Sequence, residues 1–255
     1  MRLVDTKKVH ISIVNYTNTL PFKWALKNSS LLASIDLQED IPSICAQKLK
    51  YDQVDLALVP VALLPELSHY YLVSDYCIGA KGKVDSVKLY SAVPLHDIST
   101  VVLDYQSKSS ITLTKVLTKF FWKANFSFED AVPGFENQVA GTRAAVVIGD
   151  RTFKLNGKYA YEYDLAEEWQ KFTGLPFVFA AWVSTKILPE SFVKEFNAVL
   201  RQGIEHIDSA IAAQLDASII GPAEAAFYLK ERINYPLGAD KREALALFLN
   251  YIKKL

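Results

Sequence analysis

Three stretches of the chain are apolar at consecutive positions rather than at every second one: "VDLALVPVALLPEL" (54–67), "RAAVVIGD" (143–150) and "PFVFAAWVS" (176–184). A strand with one wet face alternates apolar and polar residues, so continuous runs of this kind belong to strands buried on both faces. Such strands need helices on either side of their sheet, and helix-like segments alternate with them. A strand near His10–Val14 precedes a helix opening at Pro21, where the missing N–H falls in the unpaired first turn. "EDIPSICAQKLK" reads as a helix, "YLVSDYCIGA" and "DSVKLYS" as extended segments. After a break at "AVPLHDIST", "VVLD" (101–104) is a strand and "SSITLTKVLTKFFW" a helix, while "DLAEEWQKFTG" (164–174) sets Leu165, Trp169 and Phe172 on one helical face. The fold class is α/β.

From Pro189 onward every segment is helical, with Phe192, Phe196, Val199, Leu200, Gly203 and Ile207 at helical spacing. A helical tail without strands cannot close a layered domain of its own, so it is expected to pack back on the first unit. The chain, with 255 residues and half of them apolar, is then expected to form two lobes. Lobe I takes residues 1–92 and 186–255, and lobe II takes 93–185. Two crossings, near "LYSAVP" and "FAAWVST", are expected to bracket a ligand cleft.

Ligands of open α/β sheets sit beyond the carboxyl ends of the strands. "SIVNYTNTLPF" (12–22) ends its strand there in a polar turn, where Asn18 can donate and accept hydrogen bonds and Thr19 can cap the next helix. The same two residues also suit a plain cap and turn. In "LDYQSKSSITLTK" a strand ends at Asp104, and Ser107, Ser109 and Ser110 surround a helix N-terminus, an arrangement of donors suited to a carboxylate. A third strand end holds Gly149, which permits close approach of a ligand, and Asp150; an ordinary turn uses the same pair. Ser86 is a lone hydroxyl on an apolar strand near the first crossing.

Other chemistries lack their motifs. Cys45 and Cys77 belong to no CxxC pair or Cys/His cluster, so a zinc site is not expected and both read as buried thiols. His10, His69, His96 and His206 fall outside the strand-end motifs, and GxSxG, GxGxxG and Walker patterns are missing. No metal and no cofactor is expected. Lysine plus arginine equals aspartate plus glutamate at 28 each, without the blocks of one sign that nucleic acid or an anionic membrane would call for. The opening "MRLVDTKKVHISIV" reads as neither secretory signal nor membrane span, so the expected location is the cytoplasm.

Together these pieces resemble the chorismate dehydratase family of the futalosine route to menaquinone, nearly end to end. "YTNTLPF" is similar to the family's Tyr-x-Asn-Thr-x-Pro opening, "VDLALVP" to its Val-Asp-x-Ala-Leu-x-Pro strand and "DSVKLYS" to its Ser-Val strand. "LDYQSKSSITLTKVL" resembles its serine-rich turn, "AAVVIGD" its Ile-Gly-Asp strand, and "DLAEEWQKFTGLPFVFAAW" its most distinctive block. The chain departs at Tyr51-Asp52-Gln53, where the family usually has a glycine, and at the loosely matching "NYPLGADKREAL"; both departures are expected to lie away from the cleft.

The resemblance implies a two-lobed fold like that of type II periplasmic binding proteins, and a reaction in which chorismate loses water to give 3-[(1-carboxyvinyl)oxy]benzoate. It implies that Asn18 acts on the departing hydroxyl or orients the substrate. Ser109 and Ser110 would take one carboxylate, Ser86 the other, and Gly149 would shape the wall. The base is either the substrate's own enolpyruvyl carboxylate or Asp150. A solute-binding or ligand-sensing protein of the same fold, or the sister enzyme forming dihydroxynaphthoate, shares the architecture.

Overall fold

A computed structural model describes residues 8–255, so Met1–Lys7, on which the reading of the N-terminus partly rests, lie outside the described residues. The first sheet contains β1 (Val9–Val14), β2 (Ile35–Asp40), β3 (Leu56–Pro60), β4 (Tyr71–Ala80) and β10 (Phe177–Ser184), in the order β2-β1-β3-β10-β4. The second contains β5 (Val87–Ser91), β6 (Thr100–Leu103), β7 (Ser127–Asp130), β8 (Arg143–Ile148) and β9 (Tyr161–Asp164), in the order β7-β6-β8-β5-β9. Both follow one plan. β1 and β6 each run parallel to both neighbours, whereas β10 and β5, which come from the other side of a crossing, run antiparallel to theirs.

The apolar runs behave as their composition requires: every residue of β3 and β10 is buried. Helices cover the sheets: α1 (Leu20–Lys27), α2 (Pro42–Lys50), α3 (Lys108–Val116) and α4 (Leu165–Thr173), then the tail of α5 (Glu190–Glu205), α6 (Ile207–Gln214), α7 (Pro222–Phe227) and α8 (Ala239–Ile252). The tail packs on the first lobe. Gly203 of α5 lies so close to α1 that a Cβ there would overlap the Pro21 carbonyl. The last helix also reaches the second lobe, with Phe248 against Trp169 of α4 at 5.8 Å between ring centres and Tyr251 against Phe120 at 4.9 Å. Among the described residues no helix is long and apolar enough to cross a membrane.

The lobe boundaries differ from those expected. β5 belongs to the second sheet and β10 to the first, so the expected limits at 92 and 186 fall after strands that have already changed lobe. The reason is hydrogen bonding. Each of these strands pairs on both sides, so the chain cannot leave a sheet within them; it changes lobe in the short segments just before, 81–86 and 174–176. Ala80 pairs with Phe177, which brings the two crossings out of the first lobe side by side.

Cys45 and Cys77 are free and buried, and burial pushes their thiols up to about 12 and about 11. Among the described residues no group of His, Cys, Asp and Glu is placed to hold a metal ion.

Candidate active site

β1 ends at Val14 and β3 at Pro60, while β6 and β8 of the facing lobe end at Leu103 and Ile148. These carboxyl ends converge on one hollow. Its polar lining is Tyr16, Asn18, Ser86, Ser107 and Ser110, its apolar lining includes Val14, Ile78, Val87, Ile148 and Phe179, and among the described residues no charged one lines it. Both lobes contribute.

Each polar residue arrives by local geometry. Leaving β1, the chain makes a tight turn over Thr17–Thr19 before α1, and that turn puts Tyr16 and Asn18 on the hollow. The Asn18 Oδ1 atom is buried and has no hydrogen-bond partner among the described residues, so it is available to a group bound in the hollow. Tyr235 holds the residue from behind, its hydroxyl donating to the Asn18 carbonyl at 3.0 Å. Ser107 precedes the first turn of α3, and Ser110 donates to its Oγ at 3.3 Å. The first N–H groups of α3 have no intrahelical partner and add positive potential at the same place. Ser86 leaves the first crossing just before β5, and its Oγ accepts the Tyr228 hydroxyl at 2.7 Å.

The hollow is closed by bonds that run from lobe to lobe. The Tyr16 hydroxyl donates to Gln106 Oε1, the Thr17 N–H donates to the Asp150 carboxylate at 3.0 and 3.1 Å, and Lys108 pairs with Glu66. Gly149 makes room for the first of these. It adopts φ +67°, and a Cβ on it would stand 2.8 Å from Cζ of Tyr16. Asp104, fully buried at the end of β6, ties the second lobe's strand ends together by accepting the N–H groups of Gln106 (3.0 Å) and Ile148 (3.1 Å) and pairing with Arg151. Burial raises its pKa, with Arg151 opposing.

Asn18, Ser86, Ser107, Ser110 and Gly149 are thus brought to one hollow, and three other residues expected to bind a ligand face elsewhere. Thr19 is sealed inside its turn, its hydroxyl donating to the carbonyls of Val14 (2.5 Å) and Tyr16 (2.8 Å). Ser109 is one position along α3 from Ser110, which on a helix is about 100° away. That rotation turns it onto the segment 61–66, where it accepts the Ala62 N–H at 3.2 Å. The Asp150 carboxylate is occupied by Thr17, and burial raises its pKa.

Tyr16 also lines the hollow, although nothing in the sequence marks its ring for that place. Tyr228 and Tyr235 lie 142 and 217 residues from the groups they bond, and no local signal marks them. The loosely matching stretch that holds Tyr235 therefore does not lie away from the cleft. The other departure does, and Asp52 there takes φ +54°, a left-handed conformation that asparagine and aspartate tolerate better than most residues.

Asp164 shows how the first crossing is held. Its carboxylate caps α4 through the N–H groups of Ala166 (3.0 Å) and Glu167 (3.2 Å) and accepts those of Val84 (2.9 Å) and Asp85 (2.7 Å), immediately ahead of Ser86. Burial pushes the carboxyl up to about 6, the N–H donors opposing and Asp85 adding like-charge repulsion. The unfolded value is about 3.9. A folded value above the unfolded one means that the native state holds the proton more tightly, so this contribution to stability is complete below about pH 4 and is lost as pH rises through about 6. Thermal melts of wild type and Asp164→Asn are expected to show the wild type losing ground between about pH 4 and about pH 7. A difference independent of pH would place the titration elsewhere.

Similarity to known proteins agrees with this architecture. The family model described as menaquinone biosynthesis matches residues 9–254. A chorismate dehydratase of Campylobacter jejuni is 26% identical over 249 residues, 95% of this chain and 96% of that one. Another from Thermus thermophilus is 23% identical over 245 residues, covering 86% of each. Among solved structures, a protein from Archaeoglobus fulgidus superposes with a TM-score of 0.75 at 13% identity, covering 97% of both chains. A Candida albicans protein described as having the generic periplasmic binding protein fold gives 0.60 at 14% identity, over 97% of this chain and 94% of that one. The fold is of the periplasmic-binding-protein kind, and the chain belongs to the menaquinone biosynthesis family.

Proposed function

We propose that the protein is a hydro-lyase that converts chorismate to 3-[(1-carboxyvinyl)oxy]benzoate and water in the cytoplasm. The observation that carries this reading is a hollow between the lobes lined by Tyr16, Asn18, Ser86, Ser107 and Ser110 and, among the described residues, by no charged side chain, in a chain similar to two chorismate dehydratases over most of its length.

The reaction suits such a site. The ring carbon bearing the enolpyruvyl ether loses a proton, the neighbouring carbon loses hydroxide, and the new double bond completes an aromatic ring. Carbon is neither oxidised nor reduced overall, so no electron acceptor is consumed. The protein has to hold a dianion in one orientation and stabilise the leaving hydroxyl. In this reading Asn18 hydrogen-bonds the departing hydroxyl, Ser107 and Ser110 with the start of α3 take one carboxylate, and Ser86 takes the other. The proton passes to the substrate's own enolpyruvyl carboxylate. Asp150 is the poorer base because its carboxylate already accepts the Thr17 N–H and it is absent from the hollow's lining.

The test is direct. Purified protein mixed with chorismate, without added nucleotide or metal, is expected to replace the cyclohexadiene absorption with that of a substituted benzoate. Saturable binding without spectral change would place the chain with solute-binding proteins instead.

A further inference from the structure

The C-terminal tail reaches the hollow from behind. Where α7 ends, the helix widens into a single π-helical turn, Tyr228–Arg232, a distortion often found at functional sites. Tyr228 is 2% exposed, its ring stands edge-on to Phe153 at 5.0 Å, and Arg232 of the same turn pairs with Asp85, the neighbour of Ser86. The ring is therefore fixed by contacts that do not involve its hydroxyl.

That hydroxyl donates to Ser86 Oγ at 2.7 Å. A serine hydroxyl carries one proton and two lone pairs. One lone pair of Ser86 receives the Tyr228 proton, and no acceptor among the described residues takes the proton of Ser86 itself, although the side chain is buried on the wall of the hollow. Burial raises the pKa of the phenol, so it keeps the proton that it donates.

We propose that Tyr228 is a positioning residue: by occupying Ser86 as an acceptor it leaves the Ser86 proton free to be donated to a carboxylate of the bound substrate. This deepens the dehydratase reading and rests on it.

A double-mutant cycle tests it with Tyr228→Phe, Ser86→Ala and the double variant. The readouts are the chorismate KM and calorimetric binding of 3-(carboxymethoxy)benzoate, a dicarboxylate that cannot eliminate water. Each single variant is expected to weaken binding and raise KM by roughly tenfold, and the double variant to be no worse than Ser86→Ala alone. A merely structural role would multiply the two losses, and that result, or unaltered binding by Tyr228→Phe, overturns the inference. If the cycle shows coupling while the wild type leaves chorismate unchanged, the dehydratase reading falls and the positioning role stands.

Discussion

Asn18→Ala is expected to lower chorismate turnover by roughly a hundredfold or more, the usual cost of losing one preorganised polar group at a reacting centre. The fold should survive. The Asn18 Oδ1 atom is buried and unpaired, and Tyr235 grips the residue through its main-chain carbonyl, which alanine retains. The melting midpoint should therefore change little. Ultraviolet turnover and thermal melts of the same sample check both halves, and normal turnover would remove Asn18 from the chemistry.

Gly149→Ala is expected to damage stability and binding together. Its φ of +67° is a strained setting for alanine, and the added Cβ would stand 2.8 Å from the Tyr16 ring, well inside contact distance. Strain and overpacking together should cost about 2–3 kcal/mol, roughly 5–10 °C in a chain of this size. The ring would also have to move, and its hydroxyl would leave Gln106, one of the bonds that shut the lobes. A cleft that closes poorly admits water and orients its ligand loosely, so the chorismate KM should rise by roughly tenfold. Saturation kinetics decide the point: a lowered melting midpoint with an unchanged KM would mean that the Tyr16 ring is no part of the binding wall.

Both predictions follow from an uncharged site asked to hold a dianion. Taking carboxylates out of water is costly unless every oxygen finds a donor, and a hollow without cations meets that cost only with donors fixed beforehand. The fixing is distributed over the molecule. Asp104 knits the strand ends of the second lobe, Asp164 holds the crossing ahead of Ser86, and two tyrosines of the tail hold Ser86 and Asn18. This gives the C-terminal helices a part in the site although none of their residues lines it.

Much of the architecture is legible in local patterns because its causes are local. The runs ending at Pro60, Ile148 and Ser184 are buried strands because they have no polar residue for a wet face, and Asp164 starts α4 because its carboxylate reaches the next N–H groups. The polar turn after β1 and the serines before α3 mark strand ends for the same reason. Edge strands escape this reading: β2 ("IDLQED") and β7 ("SFED") pair on one side only and keep polar, half-buried or exposed residues, so their sequences look like loops.

By itself, then, the sequence determined the α/β class, the positions of most strands and helix starts, the family, and which strand ends carry hydroxyls and amides. The tertiary structure alone decided where the chain changes lobe, that Ser110 faces the hollow while Ser109 turns to Ala62, and that Tyr228 and Tyr235 stand behind Ser86 and Asn18. The physical reason is range. Periodicity and capping act over a few residues, but the direction of a side chain on a helix and the meeting of groups more than a hundred residues apart depend on how whole elements pack.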